Sequence, residues 1–138
     1  MQPGKDLAPT QRVRQHMTQP SYCLEESCTP RELMAVLGQA RLCLAMRLHT
    51  LIFAARMAVP SMGLVYDPKV ESYLQELDLP AAGHVERFDG EEAIRLADRM
   101  MADYDAVLAR LKDKSAQLAR AAGENEQLLL DLLEKTKG

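Results

Sequence analysis

The chain has 138 residues, of which 47% are apolar and 27% charged, a composition that suits one folded domain and excludes wholesale disorder. The net charge of −3 comes without a basic tract, and only 4% of the residues are aromatic, so the composition predicts neither nucleic-acid binding nor a broad stacking platform for sugars. The three cysteines lack CxxC spacing, which argues against a disulfide framework or a metal site and fits a reducing compartment.

The first 46 residues alternate helical patterns with short apolar runs. Four segments predict a helix, a strand, a helix and a strand, in that order: residues 6–17, 21–26, 29–40 and 41–46. Asp6 is predicted to cap the first helix, and Thr29 with Glu32 has the spacing of a capping box at the second. The fourth segment, RLCLAM, is a continuous apolar run, which predicts a central strand covered on both faces.

The same alternation continues up to residue 88. The predicted elements are a helix, a strand, a helix and a strand: residues 48–58, 60–66, 68–79 and 81–88. The first of these helices is apolar almost all round and is expected to be buried. Strands that alternate with helices pair in parallel through right-handed crossovers. Residues 1–88 are therefore predicted to form an α/β domain, with a parallel sheet of three or four strands and helices on both faces.

From Asp89 onward the pattern is purely helical. Apolar or aromatic residues recur at alternating spacings of three and four: Ile94, Ala97, Met101, Tyr104, Leu108, Leu111, Leu118, Ala122, Leu129 and Leu132. Gly123 is expected to divide residues 89–138 into two helices. The second of them would dock through four leucines, Leu128, Leu129, Leu132 and Leu133. Packing on the same domain and packing on a second copy of the chain are both open.

Arg47 and His49 are notable because they interrupt the apolar segment AMRLHTLIFAARMAV. They fall between a predicted strand and a predicted helix, at the carboxyl end of a parallel strand, where open α/β sheets bind their ligands. The first amides of the helix favour anions, Arg47 offers a planar fork for a carboxylate or phosphate, and His49 can transfer protons near neutral pH. The alternative is structural, with Arg47 paired to an acidic side chain and His49 a hydrogen-bonded core histidine.

Asp67 and Lys69 form a second candidate at the end of the next predicted strand, in the segment VYDPKV. Asp67 can cap the following helix, whereas Lys69 lies in its first turn, where a cation opposes the helix dipole. Either a bound anion or simple exposure to solvent explains a lysine at that position. The two neighbouring strand ends would face one common crevice.

The residues around these two candidates resemble a known family. Residues 46–80, MRLHTLIFAARMAVPSMGLVYDPKVESYLQELDLP, are similar to the C-terminal part of the polysaccharide pyruvyl transferases of the CsaB type. The matching positions are the Arg-Leu-His-x-Leu-Ile-Phe-Ala-Ala segment that begins at Arg47, the Val-Pro pair at 59–60 and the Tyr-Asp-Pro-Lys segment at 66–69. The clear resemblance covers about residues 29–80, and a weaker one relates Gln2 and Asp6 to positions just after the first strand of the family's second domain.

The resemblance implies a fold and a reaction. The fold is a Rossmann-like sheet, the C-terminal half of a GT-B-like structure, without its first strand and without the preceding domain that would hold the acceptor. In the reaction, phosphoenolpyruvate donates pyruvyl to a sugar diol of a cell-surface polysaccharide or lipid-linked precursor, which forms a cyclic ketal and releases phosphate, and no cofactor is implied. By the match, Arg47 would grip the donor and His49 would act as acid and base, with Asp67, Lys69 and Gln2 as further substrate-binding residues. A chain of this length is expected to be a fragment that is inactive alone.

Two other functions are open. A nucleotide-sugar glycosyltransferase half would share the fold, although the sequence has no glycine-rich phosphate loop. A non-catalytic module could instead dimerise through residues 90–136. No apolar run approaches the roughly 20 residues that span a bilayer, and the N-terminal MQPGKDLAPT lacks the apolar stretch of a signal peptide, so a cytoplasmic protein is expected.

Overall fold

The computed structural model describes residues 7–135, with the backbone alone for residues 126, 127, 130, 134 and 135. Its elements in chain order are α1 (Leu7–Gln15), α2 (Pro30–Leu37), β1 (Cys43–Ala45), α3 (Leu48–Arg56), β2 (Ser61–Val65), α4 (Pro68–Glu76), β3 (Ala81–His84), a 3-10 turn (Val85–Arg87), α5 (Gly90–Ala102) and α6 (Tyr104–Lys135). The predicted cap Asp6 and the predicted site residue Gln2 lie outside the described residues. The capping box at the start of α2 is confirmed, because the Thr29 hydroxyl accepts from the Glu32 amide and the Glu32 carboxylate from the Thr29 amide.

The three strands form one parallel sheet in the order β1–β2–β3. This confirms the predicted α/β class, with a parallel, Rossmann-like sheet. The prediction that RLCLAM is the central strand is wrong, because β1 lies at an edge and β2 occupies the centre. The strand predicted at residues 21–26 does not form, so within residues 7–135 no strand pairs with the outer edge of β1.

The edge strand β1 is buried on one face only. Cys43 and Ala45 are buried, whereas Leu44 between them is 48% exposed. Leu44 points to the face that α5 covers, and α5 packs on β3 at the opposite edge of the sheet. The expectation that this strand is covered on both faces is therefore wrong, since a continuous apolar run does not ensure that a helix lies over each side.

Helices cover both faces of the sheet, as predicted. On one face α3 and α4 bury Leu51 and Leu74 against the strands, and Leu111 of α6 joins that cluster. On the other face Met100 of α5 packs with Met62 of β2. The helix α3 buries one side rather than its whole surface, and the side that it leaves open includes the site described below.

The two helix-to-strand turns repeat one backbone motif. Ala58 after α3 and Asp78 after α4 have φ values of 55° and 54°, in the left-handed region that usually follows a helix end. In the first turn the Val59 amide then donates to the Ala54 carbonyl at 2.8 Å, and the second turn has an equivalent bond of 2.9 Å. A proline follows in both turns and leads into the next strand. These short returns bring β2 and β3 into parallel pairing beside the strand that precedes each of them.

The helix α6 runs unbroken for 32 residues, so the predicted break at Gly123 is wrong. A glycine in an exposed helix costs only about 1 kcal/mol, too little to end a helix that is otherwise continuous. The break falls at Asp103, between α5 and α6, where the Arg41 guanidinium lies 5.0 Å from the centre of the Tyr104 ring. None of the helices within residues 7–135 combines the length and apolar character needed to cross a membrane.

The apolar stripe of the C-terminal helices departs from its predicted positions. Ala93, Met100 and Val107 are buried, whereas Ile94, one residue further on, is 64% exposed. Leu111 follows the prediction and is 1% exposed. The four leucines expected to dock the last helix are between 49% and 60% exposed: Leu128, Leu129, Leu132 and Leu133. Each of them therefore keeps about half or more of its surface exposed, and their pairing with a second copy stays a prediction.

Candidate functional site

Arg47 and His49 lie at the carboxyl edge of the sheet, where β1 leads into α3. Arg47 is the N-cap residue of α3, with extended backbone angles, and its carbonyl accepts a hydrogen bond from the Thr50 amide at 3.0 Å. The first amides of an α-helix have no carbonyl partner within the helix and point out of its start. In α3 these include the amides of Leu48 and His49. The positive end of the helix dipole is therefore presented at the same place as the arginine.

The side chains of Arg47 and His49 are both exposed. The structural alternative for His49, a hydrogen-bonded core histidine, is therefore wrong. A planar guanidinium and an imidazole on the surface beside a helix start can together bind an anion and exchange protons with it.

Asp67 and Lys69 lie at the next strand end, where β2 leads into α4. The Asp67 carboxylate caps α4 by accepting from the Lys69 amide at 2.9 Å, and the Lys69 ammonium lies 3.4 Å from its other oxygen. The hydrogen bond from the Lys69 amide is the main cause that lowers the pKa of the Asp67 carboxyl, and the Lys69 charge acts in the same direction. The predicted cap is confirmed. A ligand-binding role for the pair stays a prediction. An anionic ligand would bind a Lys69 ammonium that also pairs with the Asp67 carboxylate.

The order of the strands brings the two candidates together. Ala45 pairs with Gly63 and Val65 pairs with His84, so the ends of the three strands lie nearly level along one edge of the sheet. Neighbouring strands are about 4.8 Å apart, which puts Arg47 within reach of a small ligand that also touches the start of α4. Gln2, the fifth predicted site residue, lies outside the described residues.

A pocket of about 220 Å³ opens beside Asp67, between the ends of β2 and β3. Tyr66, His84 and Arg87 are among its lining residues. Tyr66 belongs to the Tyr-Asp-Pro-Lys segment of the resemblance, whereas His84 and Arg87 do not stand out in the sequence. A short strand is predicted within residues 81–88, and β3 at Ala81–His84 confirms it; the chain then turns into the pocket wall. The signal that could have found these residues is their position just after a strand, at the edge where parallel sheets bind ligands.

Two further kinds of site were considered within residues 7–135, a reactive thiol at Cys43 and a metal centre. Burial raises the pKa of the Cys43 thiol, which makes it a poor nucleophile in the core. In the part of the chain that the structure describes, no three His, Cys, Asp or Glu side chains are grouped to hold a metal ion.

One family model matches this chain, over residues 6–68, and it is described as polysaccharide pyruvyl transferase. The match covers a little under half of the chain and includes β1, α3 and β2, with Arg47, His49 and Asp67, and Lys69 follows its last residue. It confirms the resemblance that the sequence suggests. Comparisons with curated proteins and with solved structures find no match.

Proposed function

We propose that the chain, whose residues 6–68 match the family model described as polysaccharide pyruvyl transferase, binds phosphoenolpyruvate at Arg47 and His49. The observation that carries the proposal is an exposed Arg–His pair at the start of a helix, on the carboxyl edge of a parallel sheet, inside the matched region. Phosphoenolpyruvate carries a carboxylate and a phosphate. A guanidinium binds either group through two parallel hydrogen bonds, and free helix amides favour anions.

In this proposal Arg47 holds the donor and His49 moves protons. Protonation of the enol carbon C3 leaves C2 electrophilic, and a sugar hydroxyl adds to C2 and releases its proton. The bond from C2 to the phosphate oxygen then breaks, and a second hydroxyl adds to C2, loses its proton and closes the ketal. The hydroxyls release two protons, of which C3 takes one and the departing phosphate takes the other. The reaction needs no oxidant or reductant, and an imidazole suits each proton transfer near neutral pH.

The proposal also covers the acceptor and the compartment. The acceptor is a sugar of a cell-surface polysaccharide or of its lipid-linked precursor, and a domain that precedes these residues would complete its site. This chain alone is therefore expected to bind the donor without turning it over. Cys23, Cys28 and Cys43 are free thiols, which supports a reducing compartment such as the cytoplasm.

Donor binding can be tested on the chain itself. Titration of the ¹⁵N-labelled protein with phosphoenolpyruvate should shift the amide signals of residues 47–50 in a saturable manner. Arg47→Lys should weaken binding about tenfold, because a point charge does not replace a bidentate fork. Arg56→Lys, at the other end of α3, is the matched control and should bind as the wild type does. Equal losses in both variants would contradict the assignment.

A nucleotide sugar provides the competing titration. UDP-glucose should shift the same signals no more than inorganic phosphate does. If UDP-glucose saturates the site and phosphoenolpyruvate does not, the glycosyltransferase alternative replaces the proposal.

The catalytic role of His49 needs turnover, and therefore a longer protein that contains these residues and the preceding domain. His49→Ala should lower kcat by about 10² to 10⁴, the usual contribution of a general acid or base, and weaken phosphoenolpyruvate binding less than Arg47→Lys does. His16→Ala, an exposed histidine after α1, is the control. Near-normal turnover in His49→Ala would show that the proton is moved elsewhere.

The exposed leucines of α6 favour a second candidate, self-association with another copy of the chain. The two halves of the helix carry opposite charge. Residues 108–121 hold four basic residues and one acidic, a net of +3, and residues 122–135 hold four acidic residues and one basic, a net of −3. An antiparallel pair over this whole length would bring opposite charges together but would place the leucines of one copy against residues 110–115 of the other, whereas a parallel pair would bring the leucines together and oppose like charges. We therefore propose a homodimer through α6 and assign it no helix orientation.

A further inference from the structure

We infer that the pocket between the ends of β2 and β3 binds one pyranose ring of the sugar acceptor, an inference that rests on the proposed function. The pocket has a volume of about 220 Å³. Six polar or aromatic residues line it: Tyr66, Asp67, Glu71, His84, Glu86 and Arg87.

Three elements that are separate in sequence build the pocket. Val65, the last residue of β2, pairs with His84, the last residue of β3, and both residues line it. The first turn of α4 contributes Glu71, and the 3-10 turn after β3 contributes Arg87. The pocket is thus formed by the same sheet edge that presents Arg47, and parallel sheets bind their ligands at this edge.

The charge of the pocket disfavours a second anion. Three carboxylates and one guanidinium line the pocket, a formal charge of 1 − 3 = −2 with the histidine neutral, and the Lys69 ammonium that pairs with Asp67 brings the total to −1. A phosphate or carboxylate ligand would be repelled here, in contrast to the site at Arg47. Carboxylates accept hydrogen bonds from hydroxyl groups, and a guanidinium donates to them, so a neutral ligand rich in hydroxyls satisfies both kinds of side chain.

An aromatic side chain supplies the apolar contact that a sugar ring also needs. Tyr66 is 47% exposed at the pocket, so its ring can pack against the C–H face of a pyranose. The low aromatic content of the chain predicts no broad stacking surface for sugars. One tyrosine ring is enough to contact a single pyranose.

The size of the pocket selects among hydroxyl-rich ligands. Its volume of about 220 Å³ lies below the roughly 300–1,000 Å³ of pockets that enclose drug-sized ligands. It therefore suits a single monosaccharide ring, and the rest of a saccharide chain would extend into solvent or onto another domain.

The position of the pocket fits transfer between two substrates. β1 and β3 lie on either side of β2, so two strand spacings, about 10 Å, separate Arg47 from the end of β3. A pyranose in the pocket can project its hydroxyls over the start of α4 towards a donor held at Arg47. The acceptor is thus partly bound by the same domain as the donor.

The test is an NMR titration of the ¹⁵N-labelled chain with methyl β-galactopyranoside, a monosaccharide with a free 4,6-diol. The amide signals of Tyr66 and of residues 84–87 should shift in a saturable manner, with a dissociation constant in the millimolar range. Glycerol at the same concentration is the control for non-specific polyol effects and should shift them little. No saturable shift with the glycoside, or equal shifts with glycerol, would overturn the inference.

Two pairs of variants locate the binding. Glu71→Gln and Tyr66→Leu should each weaken the glycoside about fivefold or more, because each removes a direct contact. Glu76→Gln on the same helix and Tyr22→Leu, at a tyrosine that is 95% exposed, should bind as the wild type does. Equal losses in the matched pairs would contradict the pocket as the site.

The two proposals fail in different ways. Phosphoenolpyruvate should not displace the glycoside, because the donor is held at Arg47, on the far side of the start of α4 from the pocket. Donor binding at Arg47 without glycoside binding would refute the pocket and leave the proposed function standing. Glycoside binding in the pocket without donor binding would support the pocket as a sugar site and refute the proposed donor function.

Discussion

The central strand β2 passes through the core at a point where a side chain does not fit. A Cβ atom at Gly63 would lie 2.6 Å from one methyl group of Leu74 and 3.3 Å from one of Leu51. Both leucines are almost fully buried, on α4 and α3, so neither can move into solvent. Gly63→Ala should therefore push these two helices away from the sheet, and with them the helix starts that carry Arg47 and Asp67.

The cost of this substitution follows from the contact distances. Carbon atoms in a protein core lie about 3.5–4.0 Å apart, so the new contact with Leu74 is short by about 1 Å. Overpacking of this kind costs about 1–3 kcal/mol, and the lower conformational entropy of alanine in the unfolded chain returns about 0.5–1 kcal/mol. The free energy of unfolding should fall by about 1–2 kcal/mol, a drop in Tm of about 3–10 °C for a domain of this size.

Urea and thermal unfolding followed by circular dichroism measure the effect. Gly123→Ala is the matched control, because no atom lies within 4 Å of that Cβ and the same substitution in an exposed helix should stabilise by about 1 kcal/mol. Combining Gly63→Ala with Leu74→Ala should cost less than the sum of the single changes, since the new methyl group occupies part of the cavity. If Gly63→Ala is as stable as the wild type while Gly123→Ala gains, the close packing of β2 is wrong.

Three further changes test the turns, a cap and the helix surface. Ala58→Gly should stabilise by about 1 kcal/mol, because glycine adopts the left-handed backbone without strain, whereas Ala116→Gly in α6 should lose about as much in urea unfolding. The pKa of the Asp67 carboxyl is lowered in the folded state, so the charged carboxylate stabilises the fold at neutral pH relative to Asp67→Asn. This stabilisation should disappear as the pH falls through the unfolded-state pKa and then the folded-state pKa. A difference in Tm between the two proteins that does not change with pH would contradict this. In sedimentation, Leu129→Lys should convert the proposed dimer to a monomer. Ile94→Lys, at a similarly exposed site on α5, should leave the dimer intact. A monomeric wild type would refute the dimer.

The sequence by itself determined the features that depend on near neighbours along the chain. Thr29 and Glu32 are three residues apart, and the hydrogen bonds of their capping box need no other part of the fold. Asp67 caps α4 through an amide two residues on. The placement of Arg47 and His49 at a strand end follows from the same kind of signal, an apolar run that stops where a helical pattern begins. The parallel pairing of the strands follows from their alternation with helices.

Tertiary structure decided which surfaces meet. RLCLAM has the composition of a buried central strand, yet β1 lies at the edge because no strand from residues 21–26 pairs beside it. The buried stripe of α5 lies one residue from its predicted place, since a turn of 100° per residue lets either of two adjacent faces meet the sheet. His84 and Arg87 come to the pocket because β3 pairs with β2 and the chain turns after His84. Each outcome depends on contacts between segments far apart in the chain, whose packing energies are not encoded in any local pattern.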